Sequence, residues 1–347
     1  MQDENWDLAL NLAGKEGKVA KDIVEWHMHR AQAGTARAAL AFLKRNPDWP
    51  GLPYLKKRAE RSFLNASMKV SALFFYENPP KTAEGALAYA LTLRTGQQYE
   101  AARKVIRNAW LNYSMPVETQ NIFLSLYGED LGDLTSQRLR KMLWRQNTTQ
   151  VRALYALLDK GELALARACL ALQAGERGVD ALIANIPQKL HGEPVLSHAR
   201  FKWRLQSKKV KSALKLIQES SLSVKSLEWP SAWGKDRSDM ARNLIFEKRY
   251  KEAYDLSSRN HMTQGPVFTD LEWLSGFIAL RYLNNAKLAQ LHFETVLSAV
   301  DTPISLGRAN YWLGRAYKAL DMKDQARNAF MQGAKYQTSF YGLLSAE

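Results

Sequence analysis

Apolar side chains recur three and four positions apart throughout this 347-residue chain, and that period constrains the fold more than any other feature. Ala309, Trp312, Leu313, Ala316, Tyr317 and Leu320 form one continuous stripe on a helix. "DMKD" interrupts it, and Ala326, Ala329, Phe330, Gly333 and Ala334 resume it. Two amphipathic helices joined by a short polar turn make an αα-hairpin. Alternation at period two, the mark of a strand, is absent over any useful length. Further hairpins are read at 84–110, at 151–172 around Lys160-Gly161, and at 198–220 around Ser207-Lys208. The eleven prolines fall mainly in boundary segments such as "NPP", "EP", "WP", "GP" and "TP". Proline is costly inside a helix and tolerated in its first turn, so this placement fits the same reading. The pattern predicts an all-α superhelix of αα-hairpins.

Toward the C-terminus the hairpins follow a repeat. Leu313-Gly314-x-x-Tyr317 followed by Ala326-x-x-x-Phe330 has the tetratricopeptide spacing of small and large residues. Trp273, Ala289 and Phe293 occupy corresponding places one repeat earlier, and Ala253 one repeat before that. There the match weakens, with Ser257 where an aromatic ring is expected.

Apolar residues make up 46 % of the chain, which excludes a disordered polymer. Stretches such as "ALFFY" are far too short to span a bilayer. The opening "MQDENWDLAL" is acidic and amphipathic, so any secretion signal is expected to have been removed. A net charge of +15 points to an anionic partner: nucleic acid, membrane surface or an acidic cell-wall polymer. The single cysteine, Cys169, excludes an internal disulfide and reads as a buried, inert thiol in "LALARACLAL".

The basic clusters are "YLKKRAER" (54–61), "RLRKMLWR" (138–145) and "FKWRLQSKKVK" (201–211). Arg138, Lys141 and Arg145 share one helix face; with Lys202, Arg204, Lys208 and Lys209 they are the candidates for a polyanion or glycan track. Trp144 and Trp203 at their spacings read as core. "HMH" at 27–29 puts His27 and His29 on different helix faces, which reads as two surface histidines and not as a metal site. Glu219-Ser220 reads as a helix-terminus pair and not as catalytic. No phosphate-cradling loop, nucleophile elbow, zinc spacing or helix-turn-helix is found, so no catalytic, cofactor or metal residue is assigned and nucleic acid is not the expected partner.

The tail "ANYWLGRAYKALDMKDQARNAFMQGAKYQTSFYGLLSAE" resembles the segment before the catalytic domain of soluble lytic murein transglycosylases. The likeness includes "T-x-FYG-x-L-x-A" at Thr338 to Ala346, and in order "DWPGL" at 48–52, "NPPKTAEGALAYA" at 78–90 and "TPISLGRANYWLGRA" at 302–316. The resemblance implies a periplasmic ring or horseshoe of helical hairpins: a U-type region at 1–225 and a tetratricopeptide-like linker region at 226–347. The implied partner is peptidoglycan, whose peptide stems carry carboxylates. The family cleaves between N-acetylmuramic acid and N-acetylglucosamine, using a Glu-Ser pair followed by a "GLMQ"-type segment. That motif would come after Glu347, so its residues transfer to no position here. The expectation is a non-catalytic scaffold, inactive alone, that positions glycan strands for its catalytic domain. The alternative is a tetratricopeptide-like adaptor that binds a protein in its groove.

Overall fold

The computed structural model describes residues 5–347. The described chain is all-helical, with no strand. It separates into two compact units, one ending at Ala166 and the other beginning at Arg167. The first contains α1 (Trp6–Lys15), α2 (Lys18–Arg30), α3 (Ala36–Arg45), α4 (Leu52–Ala59) and α5 (Met68–Glu77). It continues through α6 (Ala83–Thr95), α7 (Tyr99–Asn112), α8 (Val117–Leu131), α9 (Thr135–Trp144) and α10 (Thr148–Ala153). The division falls within α11 (Lys160–Gln173). The second unit contains α12 (Val179–Ala184), α13 (Pro194–Gln206), α14 (Val210–Ser220), α15 (Val224–Leu227), α16 (Pro230–Phe246) and α17 (Tyr250–Ser258). It ends with α18 (Pro266–Arg281), α19 (Ala286–Ser298), α20 (Pro303–Ala319), α21 (Lys323–Ala334) and α22 (Phe340–Ala346). No described helix is long and apolar enough to cross a membrane.

In the first unit, the rings of Phe63 and Phe74 stack at 4.2 Å, with Phe75 edge-on to both, and all three are buried. Beside them the "NPPKTAEGALAYA" stretch acquires a physical reason. The buried Glu60 carboxylate accepts from Lys81 N and Thr82 N, each at 2.8 Å, and from the Thr82 hydroxyl at 2.6 Å. An anion is thereby held at the start of α6, where the helix dipole favours it. Gly85 must lack a side chain, because a Cβ there would lie 2.1 Å from Glu60 Oε2.

In the second unit, proline sits in the first turn of α13, α16, α18 and α20. The turns between paired helices share one backbone device. Lys208, Lys248 and Asp321 have φ of 57°, 60° and 57°, in the left-handed region. At each, the amide bonds the carbonyl three residues back and the next amide bonds the one five back, as in Lys248 N to Ile245 O and Arg249 N to Leu244 O, both 2.9 Å. Between α18 and α19 the chain takes one residue more, and Asn285 N reaches back to Ala279 O.

Close approach within the last hairpins depends on glycine. A Cβ on Gly276 would lie 2.6 Å from the Phe293 ring, and one on Gly314 would lie 2.7 Å from the Phe330 ring. One repeat earlier, where Ser257 replaces the aromatic ring, its buried hydroxyl bonds that of Ser275 on α18 at 2.8 Å. Within the segment 221–236, Leu227 and Trp233 are fully buried, while Leu222, Val224 and Trp229 are exposed. The tail is a docked helix. Ser339 Oγ caps α22 by accepting from Gly342 N, and Gly307 and Gly333 let Ser339 and Ser345 approach α20 and α21.

Candidate functional site

The basic cluster at 138–145 is bonded to the end of a neighbouring helix. Arg138 is completely buried. Its guanidinium lies 4.6 Å from the Trp110 ring centre and donates to Trp110 O, to Tyr113 O at 3.1 Å and to Gln150 Oε1 at 2.7 Å. Lys141 Nζ donates to Asn112 Oδ1 at 2.9 Å, and Arg145 Nη1 to Asn112 O at 2.6 Å. All three converge on the C-terminal end of α7. The last carbonyls of a helix lack internal donors and carry partial negative charge, so cations satisfy them well. Arg138 is therefore an inward cap, and the expectation of an exposed basic track is corrected for it alone, while Lys141 is half-buried and Arg145 exposed. Burial, with Arg145 nearby, pushes the Arg138 guanidinium down to about 10, so it stays charged at neutral pH. Arg237 repeats the device on α17. It is buried, donates to Leu256 O at 2.8 Å and to Ser221 Oγ at 2.6 Å, and is pushed down by burial to about 10.

The cluster at 201–211 divides. Lys202 pairs with Asp236 at 2.8 Å, and Arg204 donates to Ser212 O at 2.9 Å. Lys209 lies 4.5 Å from the Trp203 ring centre, and Lys208 sits at the left-handed turn position. Both line an open cleft, together with Lys211. Of the remaining sequence candidates, His29 is buried against Gly34, which corrects its reading as a surface histidine; burial lowers its pKa. Glu219 is exposed near Lys215, Ser220 and Cys169 are buried, and no described group of His, Cys, Asp and Glu could hold a metal ion.

What sequence reasoning missed is a band of aromatic and guanidinium groups contributed by α16, α18, α20 and α22. On α18, Trp273 and Phe277 stack at 5.2 Å. From α20, Arg308 covers Trp273 at 3.6 Å, and Arg315 donates to the Tyr311 hydroxyl at 2.7 Å. Tyr341 of α22 meets Tyr311 at 5.4 Å. These six residues are half-buried, and the four aromatic ones pack against the buried cluster around Phe293, Trp312 and Leu313. Burial lowers the Arg308 pKa, partly offset by Tyr341 and Asp270. Arg242 of α16 holds Asp270 at 2.8 and 3.0 Å, and Ser238 bonds it at 2.6 Å. Burial alone would raise that carboxyl; the bonds from Arg242 and Ser238 together hold it below its usual value. Rings of this kind take the C–H face of a sugar, and planar guanidinium groups take carboxylates. The available signal was Arg308, Tyr311 and Arg315 at helical spacing on one face of α20.

A second missed feature links α17, α18 and α19. The Tyr254 hydroxyl bonds His292 Nε2 at 3.0 Å, and His292 Nδ1 bonds Glu272 Oε2 at 2.7 Å. Asn260 Nδ2 donates to the other Glu272 oxygen at 3.1 Å. Burial raises the Tyr254 phenol. No protein-family model matches the chain, and no curated protein matches it.

Proposed function

We propose that this chain is the helical scaffold of a lytic murein transglycosylase-type system in the periplasm, holding peptidoglycan strands without cleaving them. The observation that carries the reading is the band of Trp273, Phe277, Arg308, Tyr311, Arg315 and Tyr341. Four of these residues lie in the stretches that resemble that family: Arg308, Tyr311 and Arg315 in "TPISLGRANYWLGRA", Tyr341 in "FYG". Their chemistry suits alternating sugars with carboxylate-bearing stems, since rings stack on sugar faces and guanidinium groups pair with carboxylates.

The test is co-sedimentation of the purified chain with isolated sacculi, with the supernatant assayed for anhydro-muropeptides. Wild-type protein is expected in the pellet with no sugar released. Combined Tyr311→Ala and Arg315→Ala is expected to weaken binding by roughly tenfold while the helical circular dichroism is kept. Wild-type protein that stays in the supernatant at low salt removes the glycan-holding reading, and released anhydro-muropeptides remove the non-catalytic one.

A further inference from the structure

The turn ends of α13–α14 and α16–α17 border an open cleft of about 810 Å³. Its rim carries Lys208, Lys209 and Lys211, and its floor is apolar, with Val210, Leu214, Met240, Leu244 and Phe246. Two properties set it apart from ordinary surface. Phe246 is 85 % exposed and Val210 is 50 % exposed, so an apolar floor is left in water. The charge on the rim is also uncompensated. Arg249 is neutralised by Glu247 at 2.8 Å and Glu252 at 2.7 Å, whereas among the described residues no carboxylate pairs with Lys208 or Lys211. The rim is a built feature, since Lys208 N to Leu205 O at 3.0 Å and Lys209 N to Arg204 O at 2.8 Å fix the turn.

We propose that this cleft docks an acidic peptide segment bearing a large apolar side chain, a site separate from the aromatic band. The apolar group lies on the floor beside Phe246, and flanking carboxylates face Lys208, Lys209 and Lys211. Charge complementarity selects the occupant: three amino groups on one rim attract carboxylates. The apolar lining adds a second requirement, a large apolar side chain beside the carboxylates, which a nucleic-acid backbone does not carry. Asn243, exposed in the same cleft, can bond the amides of an extended peptide.

The test is fluorescence anisotropy of the whole chain with a fluorescein-labelled peptide that has Asp and Glu around a central Leu-Phe pair. A second peptide with Lys replacing the acids, and phosphatidylglycerol vesicles in co-sedimentation, provide the other arms. Saturable binding of the acidic peptide is expected, with a Kd of roughly 10–100 μM. The double variant Lys208→Glu, Lys211→Glu is expected to weaken it about tenfold or more, and Phe246→Ser several-fold, with Lys225→Glu unchanged. All these positions are exposed, so circular dichroism should show the fold retained. Equal binding of the lysine peptide, wild-type affinity in the double variant, or no saturation below about 1 mM overturns the proposal. Vesicle binding that the double variant abolishes, without peptide binding, also overturns it and reassigns the cleft to a membrane surface.

Discussion

Gly314 and Phe330 face each other across the last full hairpin so closely that a Cβ on the glycine would stand 2.7 Å from the ring. Gly276 and Phe293 stand in the same relation one repeat earlier, at 2.6 Å. The helix pays for glycine in propensity, by about 1 kcal/mol relative to alanine, so the close packing has to return more than that. Gly314→Ala is accordingly expected to destabilise the fold by roughly 1–3 kcal/mol in urea denaturation, although alanine is the better helix former. Combining it with Phe330→Leu should make the glycine substitution less costly, as a double-mutant cycle would show. A neutral or stabilising Gly314→Ala would mean that the ring moves aside freely.

The left-handed turn residues predict a gain. Lys248 has φ 60° and no described ion pair. A left-handed conformation costs a side-chain-bearing residue about 1–2 kcal/mol, part of which glycine gives back as unfolded-state entropy. Lys248→Gly is expected to raise stability by about 0.5–1 kcal/mol. A lower urea midpoint in the variant would contradict the turn assignment.

Arg138 separates structural from binding roles. Arg138→Met keeps much of the volume but leaves the Trp110 and Tyr113 carbonyls at the end of α7 without this donor, while Gln150 Oε1 keeps only its bond from Met115 N at 3.1 Å. Each buried group so orphaned costs about 1–3 kcal/mol, and a loss of that order or more is expected in denaturant. Binding to sacculi by the folded variant should match wild type. Weak sacculus binding with unchanged stability would restore Arg138 as a contact residue.

His198 gives the second unit a pH dependence. The ring is buried, edge-on to Trp233 at 4.9 Å, and its pKa is lowered to about 4, chiefly by burial. A base depressed in the folded state is neutral there and takes up its proton more readily when unfolded. Its stabilising contribution is therefore complete above about 6.5 and is lost as pH falls from there through about 4. The loss is of order 3 kcal/mol at most. Carboxylates titrate in the lower part of the same window, so the readout is the difference between wild type and His198→Phe, whose stability should fall less between pH 7 and 4. Parallel curves would show that His198 does not sense this burial.

Lys160-Gly161, read as a turn, instead opens α11, but the all-helical architecture, the hairpins at 84–110 and 198–220 and the repeat near the C-terminus were legible in the sequence alone. These follow from local rules: apolar spacing, proline in first turns, and small residues at fixed offsets. Leu313, Gly314, Ala326 and Phe330 were legible because each does its work within one hairpin. The site was less legible. Arg138, Lys141 and Arg145 do converge on one place, but their orientation depends on where the end of α7 lies, some 25 to 33 residues earlier in the chain. A net charge of +15 counts cations without saying which are already bonded to carbonyls or carboxylates. The aromatic–guanidinium band draws on residues from Trp273 to Tyr341, and the lysine cleft joins Lys208 to Phe246. Those neighbours meet only after successive hairpins stack, because helical periodicity sets which side of one helix a residue occupies and tertiary packing sets what stands opposite it.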